Sequence, residues 1–167
     1  PPAETFSKIE PHFKNIGLTR LANITGLDNI GIPVVLSVRP NGTYLSVDAG
    51  KGFSLDAANV SAAMECIERY HAENISPEEF SMTYKELNNS YNTVPLQHLP
   101  LTKNSIFNID SPQRWTIVWD IMNNCEVTVP TSMLTLKRSL GLPSNVMPFQ
   151  IGTNGLASGN KLLEAFC

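Results

Sequence analysis

Residues 61–73 read "SAAMECIERYHAE". Their reading decides the fold. The stretch belongs to an amphipathic helix expected over 55–73, opened by Ser54 as N-cap with Asp56 in the first turn. Set Ser61 at zero on a wheel advancing ~100° per residue. Glu65, Glu68, Arg69 and Ala72 then share one arc, with Val60, Ala63, Cys66, Ile67 and Tyr70 opposite. One reading is a solvated face, in which Glu65–Arg69 is an i,i+4 ion pair worth about 0.2–0.5 kcal/mol. The other is half of a site. Glu65 and Glu68 place like charges three residues apart, which is unfavourable unless a cation lies between them. Ser61 and Ala72 are small and leave room for a ligand. Two carboxylates and a hydroxyl suit magnesium, which takes oxygen ligands and shares them with phosphate. Arg69 can reach a phosphate oxygen in a forked contact. The residues of the helix leave both readings open.

Composition narrows the classes. A chain of 167 residues is about one domain by length, enough to bury a core. Net charge is −3 and the cations are scattered, with no basic stripe and interleaved aromatics, so nucleic acid is not an expected partner. No apolar run approaches the ~20 residues of a membrane span. The opening "PPAETFSKIEPHF" lacks the apolar segment of a signal peptide. A cytoplasmic protein without membrane association is expected. Three cysteines without C-x-x-C spacing argue against a disulfide framework and a four-cysteine zinc site. Cys66, on the apolar arc, is read as a buried inert thiol. His12, His71 and His98 have no ligand spacing and are read as surface or capping residues.

Along the chain, "IPVVLSV" (32–38) is an expected buried strand. "RPNG" turns it into a returning strand at 43–47. A second helix is expected from Ser76, where "SPEE" offers an N-cap, Pro at the first helical position and Glu79 at N3. Residues 89–113 read as a long connection. "WTIVWDI" (115–121) and "EVTVPTSML" (126–134) flank a turn at "MNNC" and predict a hairpin. Residues 141–160 are loop-like. "GNKLLEAFC" opens a helix that Asn160 can cap, with Leu163, Phe166 and Cys167 beginning an apolar face. Because this helix lacks a C-cap, the chain is read as the front part of a longer protein, cut inside a helix. "AGKGFS" and "GTNGLASGN" match neither the Walker nor the G-x-G-x-x-G pattern, so a bound nucleotide implies another fold.

Ser61, Glu65, Glu68 and Arg69 spell S-x-x-x-E-x-x-E-R, which resembles the first ATP-binding motif of the YcaO family. "GLTRLANITGLDNIGIPVV" (17–35), "GKG" (50–52), "VTVPTSML" (127–134) and "TNGLASGNKLLEA" (153–165) resemble YcaO segments in the same order. The resemblance implies a leader segment over 1–14 and the N-terminal portion of a YcaO domain over 15–167. It also implies an α/β fold, a mixed sheet packed by helices, incomplete at its C-terminus, with two motif-bearing helices meeting across the nucleotide.

As implied by the resemblance, the cofactors are ATP and Mg2+, with Glu65 and Glu68 as magnesium or nucleotide ligands. Ser61 and Arg69 are phosphate-side contacts. Asn160 and Glu164, spaced N-x-x-x-E, open a second ATP motif whose continuation lies past Cys167. Lys51 and Arg20 are weaker candidates, equally readable as surface charges. No catalytic residue is assigned. The implied activity is ATP-dependent O-phosphorylation of peptide backbone amides, leading to azolines or thioamides. The partners are a peptide or protein substrate, an E1-like or TfuA-like protein, and a second copy in a homo-oligomer. The alternative is a non-catalytic YcaO-like nucleotide-binding scaffold that assists another modification enzyme. A third reading is a plain α/β interaction domain with a solvated face.

Overall fold

The computed structural model describes residues 1–137 and 147–166. Its helices are α1 (Pro2–Ile9), α2 (Phe13–Ile16), α3 (Leu55–Asn74), α4 (Tyr84–Ser90) and α5 (Leu162–Phe166). Its strands are β1 (Arg20–Asn23), β2 (Val34–Val38), β3 (Val47–Lys51), β4 (Phe80–Met82), β5 (Gln113–Asp120) and β6 (Cys125–Pro130). The chain is α/β, as expected. It forms two compact units: Pro1–Glu73 with the segment from Thr153, and Asn74–Gly152. Each carries a three-stranded antiparallel sheet, β1-β2-β3 in the first and β4-β5-β6 in the second. Among the described residues no helix is long and apolar enough to cross a membrane.

In the first unit the strand expected at 43–47 begins only at Val47, which pairs with Val38. The reason is electrostatic. The Thr43 and Tyr44 N–H groups donate to the Glu73 carboxylate, at 3.1 Å each, instead of to a ladder. Arg39 donates to the same carboxylate through Nη1 and Nη2 at 2.8 and 2.7 Å. Both side chains of this pair are buried. Burial works against the Glu73 charge, but Arg39 and the two N–H groups override it and hold the carboxyl below its usual range. The end of α3 is thereby clamped to the β2–β3 loop.

Helix α3 starts where expected, with the Ser54 hydroxyl accepting from Ala57 N–H at 3.2 Å. Its apolar arc holds: Ala63 and Cys66 are buried with Ile16 and Leu18, flanked by Ile67, Tyr70, Ile9 and Phe13. Burial pushes the Cys66 thiol up, in keeping with an inert core residue. The buried surface is wider than the wheel suggested, because Ala58, Ala62, Ala72 and Glu73 are also covered. Ala58 and Ala62 pack with Val35 of β2 and Leu21 of β1. In β3, Asp48 and Gly50 point inward. A Cβ on Gly50 would run into the Ala62 amide nitrogen and the Ala58 carbonyl. Glycine is there for space, since its φ is not positive.

In the second unit the helix expected from Ser76 does not form there. Phe80–Met82 pairs with β5 instead, and Glu79 forms an ion pair with Arg114 at 2.5 Å. The helix starts later, after Thr83, whose hydroxyl accepts from Glu86 N–H while the Glu86 carboxylate accepts from Thr83 N–H. That is a full capping box. The β5–β6 hairpin is as expected, its turn held by Asp120, which accepts from Met122 and Asn123 N–H. Trp115 is buried and donates to the Met82 carbonyl at 2.8 Å. Of the expected loop at 141–160, residues 141–146 lie outside the described residues; 147–160 form no strand or helix beyond a bridge at Phe149.

Gly50→Ala is expected to destabilise the protein by about 1–3 kcal/mol or more, since two backbones must separate; urea unfolding of the variant measures it, and wild-type stability would contradict the close approach. Glu73→Gln is expected to cost about 3–5 kcal/mol by leaving Arg39 buried without a counter-charge. A depressed folded pKa contributes stability above the unfolded carboxyl's pKa and loses it as pH falls through the folded value. Wild type should therefore lose more stability on acidification than Glu73→Gln. Parallel pH profiles would refute the clamp.

Candidate functional site

The polar arc of α3 lies wholly within the first unit. Ser61 is exposed, and its hydroxyl accepts from the Lys51 N–H at the end of β3, at 3.3 Å. It ties helix to sheet on the side where the arc begins. One turn on, Glu65 is half-buried. Its Oε1 accepts from Arg69 Nη2 at 2.9 Å and Nε at 3.2 Å, so the expected i,i+4 pair is present.

Beneath Arg69 is a residue that the sequence reading missed. Asp48 Oδ1 lies 2.5 Å from Arg69 Nε as an ion-pair contact. The Asp48 side chain is fully buried, and neither oxygen accepts a hydrogen bond among the described residues. Burial pushes its carboxyl up, against the pull of Arg69. The available signal was strand alternation: with β3 taken as 47–51 rather than 43–47, Asp48 falls on the same inward face as Gly50.

Glu68 is half-buried, and its carboxyl is raised, first by burial and then by neighbouring Glu65, while Ser158 and Arg69 act in the opposite direction. Ser158 lies near this carboxylate and favours its ionised form. Ser158 was also missed, although it stands two residues before Asn160. It brings the segment from Thr153 near the polar arc of α3. That segment carries Asn160 and Glu164, which bond to each other: Glu164 Oε2 accepts from Asn160 N–H at 2.8 Å, and Asn160 Nδ2 lies 3.2 Å from the same oxygen. The cap is thus the reverse of the expected one, with the helical Glu164 receiving the Asn160 N–H. No hydrogen bond or ion pair among the described residues links Glu164 directly to Glu65 or Glu68. The apolar face expected on α5 is exposed at Leu163 and Phe166, and Cys167 lies outside the described residues.

The donor set fits a hard cation held together with phosphate. Glu65 and Glu68 present carboxylates on one face. Burial and like charge both penalise ionised Glu68, and a divalent cation would relieve both. Among the described residues no three His, Cys, Asp or Glu side chains come together as a complete metal site. Magnesium suits such a partial set, because it usually takes one or two carboxylates and completes its shell with phosphates and water.

Comparison with known proteins bears on the family and the fold. The profile of the YcaO cyclodehydratase family, described as ATP- and Mg2+-binding, matches residues 49–167. An uncharacterized protein in the tfuA 3′ region of Rhizobium leguminosarum bv. trifolii is 35% identical over 165 residues, covering 98% of this chain and 38% of that protein. The solved YcaO from Methanopyrus kandleri, bound with AMPPCP and Mg2+, superposes with a TM-score of 0.70 at 26% identity, covering 99% of this chain and 40% of that one. A heterocyclase in complex with substrate and cofactor shares the fold, with a TM-score of 0.78 at 21% identity, over 98% of this chain and 26% of that one. The chain spans 37–42% of the length of the curated relatives it matches.

Ser158→Ala should release the segment from Thr153 from α3 without unfolding the helix. Amide hydrogen exchange is expected to speed up over 153–160 and stay unchanged over 58–66. Unchanged exchange at 153–160 would show that the hydroxyl holds nothing.

Proposed function

The chain belongs to the YcaO family, and on that premise we propose that it supplies the first half of an ATP–magnesium site used to activate peptide backbone amides. The observation that carries this reading is the half-buried Glu68. It is crowded by Glu65, near Ser158 of the second motif segment, and adjacent to an arginine fixed between two carboxylates.

In this reading Glu65 and Glu68 hold magnesium against the phosphates of ATP. Bound there, the ion neutralises phosphate charge and orients the γ-phosphoryl group. Arg69 reaches a phosphate oxygen with the part of its fork that Glu65 leaves unused. Ser61 stands at the phosphate side, and Asn160 and Glu164 approach from the second segment. A nucleophile adds to the amide carbon, the amide oxygen takes the γ-phosphoryl group from ATP, and ADP leaves. Loss of the phosphorylated oxygen as phosphate completes an azoline when the nucleophile is a Cys, Ser or Thr side chain, or a thioamide when it is sulfide. Phosphoryl transfer asks a protein mainly for positioning and charge neutralisation, which carboxylates and arginine provide.

The relative in a tfuA 3′ region favours a TfuA-like partner over an E1-like one, and so favours thioamide formation. A peptide or protein substrate, a cytoplasmic setting and assembly as a homo-oligomer belong to the same proposal. The test is peptide-dependent ATP hydrolysis by the full-length protein. Glu68→Gln keeps the side-chain shape and removes the charge that a hard cation requires. It is expected to lower turnover by about 10²-fold or more, with an undiminished melting temperature, since the charge it removes is one that burial penalises. Equal rates for the two proteins would sink the assignment.

A further inference from the structure

We propose that Asp48 is a positioning residue: from the sheet side it holds the Arg69 guanidinium in place, so that Glu65 can turn to a bound cation without releasing the arginine. The proposal rests on the reading of the α3 face as an ATP–magnesium site.

Asp48 occupies an inward position of β3, where alternation calls for an apolar side chain. It is fully buried, with no hydrogen bond to either oxygen among the described residues. Stability does not account for such a group, because a buried ion pair replaced by well-packed apolar residues is often as stable or more so. Among the described residues its ion-pair partner is Arg69, at 2.5 Å from Nε; Arg39 acts on it more weakly and is itself paired with Glu73.

Arg69 is therefore bracketed. Glu65, one turn earlier on α3, takes Nε and Nη2 from the helix side, and Asp48 approaches Nε from beneath. Nη1 has no acceptor among the described residues and is left for an anion. The two carboxylates differ in freedom. The Glu65 side chain is 36% exposed and can rotate to a cation, whereas that of Asp48 is 0% exposed and cannot leave. When Glu65 serves the metal, Asp48 still fixes the fork. A guanidinium held on one side only would swing, and small misplacements of a charged group are expensive in phosphoryl transfer.

The experiment uses the full-length protein and peptide-dependent phosphate release, with wild type, Asp48→Asn, Arg69→Lys and the double variant. Arg69→Lys keeps the cation that compensates Asp48 and removes the fork. Each single variant is expected to lower kcat about 10- to 100-fold, with a smaller change in KM for ATP. The double variant is expected to be no slower than Arg69→Lys alone, because both changes act through one group. A wild-type kcat for Asp48→Asn overturns the proposal. So does an Asp48→Asn loss that is equally large in both backgrounds, since that is the mark of a merely structural residue. If Asp48→Asn fails to fold, Asp48→Glu replaces it, keeping the buried charge but moving the carboxylate by one methylene; the same criteria apply. Inactive Glu68→Gln beside fully active Asp48→Asn defeats the positioning role alone. Wild-type rates for both defeat the α3 site, and the positioning role with it.

Discussion

The first unit depends on how closely α3 can lie on its sheet. Gly50, Ala58 and Ala62 form that contact, and a single added methyl group at Gly50 would collide with helix backbone. Residues this small contribute little apolar area each. What they provide is proximity, which lets short side chains span from helix to strand. Ser61 meets the Lys51 amide, and Arg69 meets Asp48, because the two backbones are close. A bulkier seam would lift the polar arc off β3 and leave Asp48 without its counter-charge.

The same closeness sets an electrostatic problem. Glu65, Glu68, Glu73 and Asp48 lie on or against one helix, and they resolve their charges differently. Glu73 takes a forked arginine and two backbone N–H groups, and its carboxyl is held below the usual range. It closes the β2–β3 loop and is structurally satisfied. Asp48 and Glu68 are left under-compensated, and their carboxyls are raised by burial. Groups that a fold leaves strained in this way tend to mark sites of function. The divide runs along α3, with a satisfied pair at its C-terminal end and the unsatisfied ones in its middle.

Much of this was legible in the sequence, and the exceptions have physical causes. The period of 55–73 gave α3 and its buried arc, an apolar, β-branched run gave β2, and two runs flanking a turn gave the β5–β6 hairpin. Turn chemistry misplaced β3, because a distant carboxylate captured the amides of Thr43 and Tyr44. The second helix was misplaced because two capping signals compete, Ser76–Glu79 and Thr83–Glu86. Pairing of Phe80–Met82 with β5 decides between them, and that contact is not local. The i,i+4 pair of Glu65 and Arg69 was readable from spacing. Asp48 and Ser158 were not, since an aspartate in a presumed loop and a serine in a Gly-rich stretch both read as surface until a neighbouring element covers them.

The central claim is that the polar arc of α3 holds magnesium against the phosphates of a nucleotide. A crystal structure of the full-length protein with AMPPCP and Mg2+ tests it most directly. The account predicts magnesium at ~2.1 Å from carboxylate oxygens of Glu65 and Glu68, with the Arg69 fork on a phosphate and still anchored to Asp48. Nucleotide and metal bound elsewhere, with Glu65 still paired to Arg69, would contradict it.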